Sequence, residues 1–237
     1  MPCKYYEANK VKYGMVIDLE KCIGCRSCMI ACKIHNGQPP ANWWNRVFTP
    51  GSFTHLLPPE EGVQYFLPLS CQHCENAPCE KVCPVGATYT DENGVVLVDY
   101  DRCIGCRYCM AACPYGVRQF NWQGTEKTLK EYNLFVNYRY GYRKIFKKND
   151  RLVCMPERYK GIVEKCTFCI QYIEKGIEPA CVRACPGKTR FFGDLDDENS
   201  NVSKLIKNNA FNILPDKGTR PKVYYLPPIN KLRQFYD

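Results

Sequence analysis

The chain has 237 residues, 18 cysteines and a formal net charge of +9 at pH 7. A disulfide-rich secreted scaffold does not fit, because such scaffolds are usually shorter than about 100 residues. No apolar run reaches the roughly 18 to 20 residues of a transmembrane helix, and we expect no export signal, since neither an apolar leader nor a twin-arginine pair is present.

The first cysteine motif, CIGCRSCMIAC from Cys22 to Cys32, recurs almost letter for letter as CIGCRYCMAAC from Cys103 to Cys113. In C-x2-C-x2-C-x3-C, three thiolates fold around one point and the fourth points elsewhere. Two-cluster ferredoxins use this spacing, and their fourth cysteine ligates the other cluster. Pro114 completes the pattern. The motif therefore predicts iron-sulfur ligation, whereas a lone C-x2-C would leave a zinc knuckle or a redox pair open.

Two further groups of four cysteines lie in CQHCENAPCEKVCP and CTFCIQYIEKGIEPACVRACP. The four groups together contain sixteen of the 18 cysteines. Cys3 and Cys154 belong to no motif, and we expect them to be free structural thiols. So many ligands leave little chain for an apolar core, so bound clusters are expected to contribute much of the folding free energy.

Residues 68–121 are predicted to form a complete ferredoxin-like domain. A short helix is expected after Ala77-Pro78, and a hairpin in TYTDENGVVLVD with its turn at Glu92-Asn93-Gly94. A second helix is expected from Arg107 to Ala112.

The first and fourth cysteine groups are then expected to pair in space, so that residues 1–67 plus 122–237 form a discontinuous ferredoxin-like domain around the inserted one. If the fourth cysteines are exchanged within each pair, four ligand sets result. Site 1 is Cys22, Cys25, Cys28 and Cys185; site 2 is Cys71, Cys74, Cys79 and Cys113; site 3 is Cys103, Cys106, Cys109 and Cys83; site 4 is Cys166, Cys169, Cys181 and Cys32. Spacing also leaves open a serial pairing of group one with two and three with four.

Two segments allow a structural or a docking interpretation. Residues 122–165 contain 11 Lys or Arg against 5 Asp or Glu, and five tyrosines. They are interpreted either as a solvated loop with a short helix near 125–136 or as a docking surface, since tyrosine and arginine are enriched at interfaces. In residues 33–63, Pro and Gly exclude long regular elements, and Trp43-Trp44 are expected to be covered.

The segment after Cys185-Pro186 predicts one more helix. Ser200 or Asn199 can cap it. Its apolar residues share one face and are expected to pack against the outer domain. These residues are Val202, Leu205 and Ile206.

The net charge of +9 counts every cysteine as neutral. Each oxidised 4Fe-4S cluster with four thiolates carries about two negative charges, so four clusters would bring the chain close to neutrality. The basic excess is therefore explained as compensation for cluster charge. Nucleic-acid binding is disfavoured, because no recognisable nucleic-acid module accompanies the basic residues.

Several motifs resemble the four-cluster iron-sulfur subunit of molybdopterin oxidoreductases of the dimethyl sulfoxide reductase family, including the subunits of polysulfide, tetrathionate and arsenate reductases. The motifs are MVIDLEKCIGC, CQHCENAPCEKVCPVGATY, DYDRCIGCRYCMAACPYGVRQFNW, EKCTFC, PACVRACPGKTRFFGDLDD and PDKGTRPKVYYL. The resemblance implies an α+β fold of two pseudo-symmetric ferredoxin-like domains with the crossed pairing, and four 4Fe-4S clusters. It also implies a catalytic partner with a molybdenum or tungsten bis-pterin cofactor, and often a quinone-reactive membrane subunit.

The expected function is electron relay, because no side chain is predicted to carry out bond chemistry. The chain would be peripheral to the membrane through its partners, exported with the catalytic subunit or cytoplasmic. The alternatives are a free-standing polyferredoxin or hydrogenase-associated carrier, and a zinc-stabilised binding module. His73 could accept a proton near a quinone, or could donate to a cluster sulfur or contact a partner.

Overall fold

The structure is a computed structural model that describes residues 11–49, 52, 65–124 and 160–228. The strands are β1 Tyr13–Asp18, β2 Arg46–Phe48, β3 Leu67–Leu69, β4 Thr88–Thr90, β5 Val96–Val98, β6 Gln119–Phe120, β7 Val163–Glu164, β8 Arg190–Asp194 and β9 Val223–Leu226. The helices are α1 Ser27–His35, α2 Pro78–Lys81, α3 Tyr108–Ala111, α4 Ile170–Ile173, α5 Ala180–Arg183 and α6 Asn201–Lys207, and Pro215–Lys217 is a 3-10 turn. Within these ranges, no helix is long and apolar enough to cross a membrane.

A three-stranded sheet of order β8-β1-β9 joins the beginning of the described chain to its end. β1 is antiparallel to β8 and parallel to β9. Its apolar run of Met15, Val16 and Ile17 is buried because strands flank it on both sides and side chains cover both faces. Residues 11–49 are thereby fixed to residues 160–228.

The predicted hairpin is confirmed as the antiparallel pair β4-β5, with Thr88 opposite Val98. Asp91 organises its turn, because the Asp91 carboxylate accepts hydrogen bonds from the backbone N–H groups of Asn93 and Val95. Gly94 takes a left-handed φ of 71°, which glycine adopts without steric penalty.

The predicted one-turn helices are also confirmed as α2 and α3. Two short antiparallel pairs then connect residues 65–124 to the flanking stretches: β2 pairs with β3, and β6 pairs with β7. The described chain therefore has mixed helix and strand content with small sheets. The pseudo-symmetric arrangement of one domain inserted in another stays a prediction.

Helix α6 begins as predicted, and Ser200 is its cap. The Ser200 hydroxyl accepts the backbone N–H of Ser203 at 3.1 Å. Val202 is buried against Val16 and Leu226 in a small apolar cluster. The prediction of a packing helix is confirmed.

The main apolar cluster contains many of the motif cysteines themselves. Apolar side chains such as Ile17 and Leu69 pack among them. The cysteines in this cluster are Cys28, Cys32, Cys71, Cys74, Cys79, Cys109, Cys166 and Cys181. The thiols thus occupy the position of an ordinary hydrophobic core.

Candidate metal centres

The two copies of CIGCR adopt the same backbone conformation. Gly24 and Gly105 have φ of 67° and 68°, and Arg26 and Arg107 have φ of 62° and 65°. α1 and α3 begin directly after these arginines. The left-handed residues fold each loop back on itself, which places the first two thiols in the loop and the third on the first helical turn.

Site 1 combines the first cysteine triplet with the fourth cysteine of the last group. Cys22, Cys25, Cys28 and Cys185 line one pocket of about 340 Å³, part of it open to solvent. Burial raises the pKa of Cys22, and Cys28 and Cys185 raise it further. Cys25 is exposed, and the hydrogen bond with the Ser27 hydroxyl lowers the pKa of its thiol.

Site 3 has the same form at the second CIGC loop. Cys83, Cys103, Cys106 and Cys109 line a pocket of about 310 Å³. Cys83 comes from the end of the preceding group, and its sulfur accepts the backbone N–H of Ala87 at 3.2 Å. Burial raises the pKa of Cys109, and the neighbouring Cys103 raises it further.

Site 2 is more enclosed. Burial raises the pKa of Cys74 to about 12, with contributions from the neighbouring Cys71, Cys113 and Cys79. Burial likewise raises the pKa of Cys113, and Cys71 and Cys79 add to the shift. The structure therefore brings the fourth cysteine of the second CIGC motif to the triplet of the preceding group.

Site 4 is the most deeply buried, and it brings Cys32 to a triplet more than 130 positions away in the chain. Burial raises the pKa of Cys32 well above its usual range, with further contributions from Cys166, Cys169 and Cys181. Amide side chains also reach this site. The Gln38 Nε2 donates to the Cys32 sulfur at 3.2 Å, and the Asn36 Nδ2 lies 3.6 Å from the Cys169 sulfur.

The four sites form a row, because a cysteine of each site lies close to a cysteine of the next site. Burial raises the pKa of Cys181 in site 4 to about 11, and Cys28 of site 1 adds to that shift. In the same way, Cys71 of site 2 raises the pKa of Cys166 in site 4, and Cys79 of site 2 raises the pKa of Cys109 in site 3. The order along the row is site 1, site 4, site 2 and site 3.

The four sites fit a polynuclear iron-sulfur cluster in two ways, through their ligand atoms and through the buried positive charge beside them. Each offers four thiols, the ligand set of a 4Fe-4S cluster. The Nη2 of the buried Arg118 also has no hydrogen-bond partner in the described chain, although Cys79 and Cys109 lie beside its guanidinium. A negatively charged cluster would compensate this buried cation.

His73 is fully buried, so its ring is not at the surface of the chain. The ring stacks on Phe168 at 3.7 Å between centroids, and its Nδ1 accepts the backbone N–H of Val96. Burial lowers the pKa of His73 well below its usual range. The group that approaches a cluster ligand is the backbone N–H of His73, 3.5 Å from the Cys71 sulfur.

The Trp pair is covered, as expected. Trp44 is buried and its Nε1 donates to the Glu164 carboxylate at 3.3 Å, while the Lys33 ammonium lies over the half-buried ring of Trp43. Glu164 also accepts hydrogen bonds from Asn42 and Asn121, and so connects three separate stretches. Cys3, Cys154 and most of the 122–165 segment, including the expected helix near 125–136, lie outside the described residues.

Two family models match the chain. The model described as a 4Fe-4S dicluster domain matches residues 63–132 and 150–195, and one described as a 4Fe-4S binding domain matches residues 13–34. The matched ranges contain all four cysteine groups.

Curated relatives resemble the chain over most of its length. An iron-sulfur subunit of a dimethyl sulfoxide reductase from Halobacterium salinarum is 47% identical over 90% of this chain and 78% of its own length. An arsenate respiratory reductase iron-sulfur subunit of a Shewanella strain is 41% identical over 91% of this chain and 96% of its own. The iron-sulfur cluster-binding subunit of a menaquinone reductase from Nitratidesulfovibrio vulgaris is 37% identical over 98% of this chain and 95% of its own.

Proposed function

Because this chain belongs to the family of iron-sulfur electron-transfer subunits of the molybdopterin oxidoreductases, we propose that it relays single electrons through four 4Fe-4S clusters. The observation that carries this proposal is the row of four sites, each containing four cysteine thiols. A bound cluster supplies one-electron chemistry: it accepts one electron from one neighbour and donates it to the next. Sites 4 and 2 form the buried middle of the row, and sites 1 and 3 form its ends.

Both ends of the row reach the surface of the chain. Cys25 at site 1 and Cys106 at site 3 are exposed. Next to them, the large apolar side chains of Ile23 and Ile104 are 66% and 65% exposed, and contiguous apolar patches at a surface mark contact sites. Electrons would enter at one end and leave at the other.

The partners proposed for the two ends are a catalytic subunit with a molybdenum or tungsten bis-pterin cofactor and a quinone-reactive membrane subunit or other carrier. The names of relatives support this, since they include reductase subunits and a subunit of a menaquinone reductase. Beside site 3, Tyr108 and Trp122 are also largely exposed, and aromatic residues are enriched in interfaces. The chain would be peripheral to the membrane through these partners.

The protein's own part in the relay is to hold the clusters and set their surroundings. Sixteen thiolates are the proposed ligands, in the crossed sets of sites 1 to 4 and in two ferredoxin-like domains, 68–121 inserted in 1–67 plus 122–237. The amides of Gln38 and Asn36 point at sulfurs of site 4. Hydrogen bonds to cluster sulfurs stabilise the reduced form and raise the reduction potential.

The metal content of the purified chain tests the cluster count. Iron and acid-labile sulfide should each approach about sixteen per chain, from four clusters of four irons and four sulfides. A value near twelve for either would contradict the proposal, and a colourless protein containing zinc would replace it with a zinc-stabilised binding module. The Cys154→Ser variant serves as a control, and it should keep the wild-type metal content.

The crossed ligand sets are tested by pairs of substitutions. Cys32→Ser should convert site 4 to a three-iron cluster or shift its potential, while site 1 keeps four thiolates. Two changes at one cluster should interact, whereas changes at different clusters should add more nearly independently. Coupling of Cys32→Ser to Cys169→Ser is therefore expected in EPR spectra. Coupling to Cys74→Ser instead would show the serial pairing of group one with group two, and coupling to Cys25→Ser would show that group one holds its own cluster.

A further inference from the structure

Each half of the row contains one buried arginine, and both arginines lie at the same distance in sequence from the last cysteine of a group. Arg118 comes five positions after Cys113, and Arg190 comes five positions after Cys185. Their side chains are buried, with 3% and 4% of each residue exposed. Both arginines lie outside the cysteine spacing that assigned the ligands.

Arg118 lies between sites 2 and 3. Its Nη1 donates to the Thr88 hydroxyl at 3.1 Å, and its Nη2 has no hydrogen-bond partner in the described chain. The thiols of Cys79, Cys109 and Cys71 lie beside its buried guanidinium. Cys79 and Cys71 belong to site 2 and Cys109 to site 3.

Arg190 lies between sites 1 and 4. Its Nη2 donates to the Asn45 side-chain oxygen at 3.1 Å and lies 3.6 Å from the sulfur of Cys28. The thiols of Cys181 and Cys185 also lie near this buried guanidinium. Cys28 and Cys185 belong to site 1, whereas Cys181 belongs to site 4.

Neither guanidinium forms a salt bridge with a carboxylate in the described ranges. The nearby buried lysines also form no salt bridge there, but their ammonium groups bind backbone carbonyls: Lys165 donates to the carbonyls of Val96 and Cys166, and Lys222 donates to the carbonyl of Gly94. A buried charge without a counter-charge is costly. Two thiolate-ligated clusters beside each arginine would supply the missing negative charge.

We propose that Arg118 sets the reduction potentials of the clusters in sites 2 and 3 as one pair, and that Arg190 sets those of the clusters in sites 1 and 4 as the other. This rests on the proposed electron-relay function. Reduction adds one negative charge to a cluster, and a buried cation nearby stabilises that charge more than a solvent-exposed one does. Each arginine therefore raises two potentials at once, and the row is divided electrostatically into two independently adjusted halves.

Potentiometric titration of the four-cluster chain in its complex, followed by EPR, tests this proposal. Arg118→Met should lower the midpoints of two clusters, each by at least tenfold in the equilibrium constant for reduction, which is about 59 mV for one electron. Arg190→Met should lower the other two, and the double variant should show all four shifts. Arg118→Lys keeps the charge, and its midpoints should return most of the way to the wild-type values. A Cys169→Ser background marks site 4, which shows which pair of shifted midpoints includes that site.

Arg102→Met is the matched control. Arg102 directly precedes Cys103, but its side chain is 68% exposed and lies 3.4 Å from the Asp99 carboxylate. Its removal should shift no midpoint as far as Arg118→Met does, because water and salt screen an exposed charge. Equal shifts in the two variants, shifts of all four clusters in Arg118→Met, or no shift at all would overturn the proposal.

A second variant covers the case in which an Arg→Met chain fails to assemble. Asn45→Asp leaves Arg190 in place but puts a carboxylate against its guanidinium, so the same two midpoints should fall. Asn45→Leu adds no charge, although it removes both the bond from Arg190 and the one that the Asn45 Nδ2 donates to the Cys28 carbonyl, and it should shift them less. If Asn45→Asp leaves the potentials of sites 1 and 4 unchanged, the proposal fails. Iron and sulfide counts on the wild-type chain separate this failure from failure of the relay function itself.

Discussion

The stretch 65–124 and the flanking stretches 11–49 and 160–228 hold similar thiol groups in different frameworks. Each contains a CIGC loop with the same left-handed residues, and each contains one buried arginine. The flanking stretches add the three-stranded β8-β1-β9 sheet and the packed helix α6. Within 65–124, the regular pairing is the short β4-β5 hairpin.

This difference separates the stability that thiol ligation provides from the stability that apolar packing provides. The flanking stretches bury Val16, Val202 and Leu226 in a cluster that contains no cysteine. The apolar residues of 65–124, such as Val96 and Leu97, belong to the same cluster as the thiols. Residues 65–124 should therefore depend on bound metal more strongly.

Removal of iron should produce the largest difference between residues 65–124 and the flanking stretches. Chelation under anaerobic conditions should open the β4-β5 hairpin, since cluster binding is part of its folding free energy. Amide-exchange protection in β4 and β5 should fall at least about tenfold further than protection in β1, a difference of roughly 1.4 kcal/mol. Mass-spectrometric hydrogen exchange on the loaded and stripped chain measures both.

The control for this experiment is the loaded chain carried through the same handling without chelator, which should keep protection in both regions. Equal losses in β1 and in the hairpin would show that the β8-β1-β9 sheet has no stability of its own. The contrast between the two frameworks would then be wrong.

The glycines of the two CIGC loops provide the next test. A Cβ on Gly105 would meet the backbone carbonyl oxygen of Gly161, while a Cβ on Gly24 would meet the ring of Phe66 at 2.5 Å. A half-buried side chain can move more easily than backbone. Gly105→Ala should therefore reduce cluster content and thermal stability more than Gly24→Ala does.

Gly86→Ala is the control that measures the cost of a left-handed alanine without a steric clash. Gly86 has φ of 62° and no atom of another residue within 4 Å of an added Cβ, so alanine should cost only about 1–2 kcal/mol for the left-handed conformation. The expected order of destabilisation is Gly105, then Gly24, then Gly86. If Gly24→Ala proves the most harmful, the two loops are not supported as the structure indicates.

Local features were predictable from the sequence, because their causes lie within a few residues. The turn at 92–94 follows from Asn-Gly between two apolar runs, and the start of α6 follows from a serine before an apolar face. Cysteine spacing likewise assigned the thiols to four groups, although the crossed ligand sets stay a prediction.

Features that depend on distant contacts were missed. The sequence gives no sign that β9 lies parallel to β1, or that Gln38 donates to a sulfur of site 4. Arg118 and Arg190 look like ordinary charged residues near strands, and only the fold shows that they are buried beside thiols. The offset of five residues from Cys113 and Cys185 was a signal that could have identified them.

The smallest expected effect concerns α6, which belongs to the flanking stretches. The sequence left Ser200 and Asn199 as alternative caps, and in the structure the Ser200 hydroxyl accepts the N–H of Ser203 and donates to the carbonyl of Asp194. Ser200→Ala should cost about 1 kcal/mol of α6 stability, because an N–H at the start of the helix loses its acceptor. Asn199→Ala should change stability by less than about 0.5 kcal/mol. Hydrogen exchange at the Ser203 amide separates the two variants. Protection in the β4-β5 hairpin should not change in either variant, because α6 stabilises the flanking framework alone; a loss there would show that the two regions unfold as one unit.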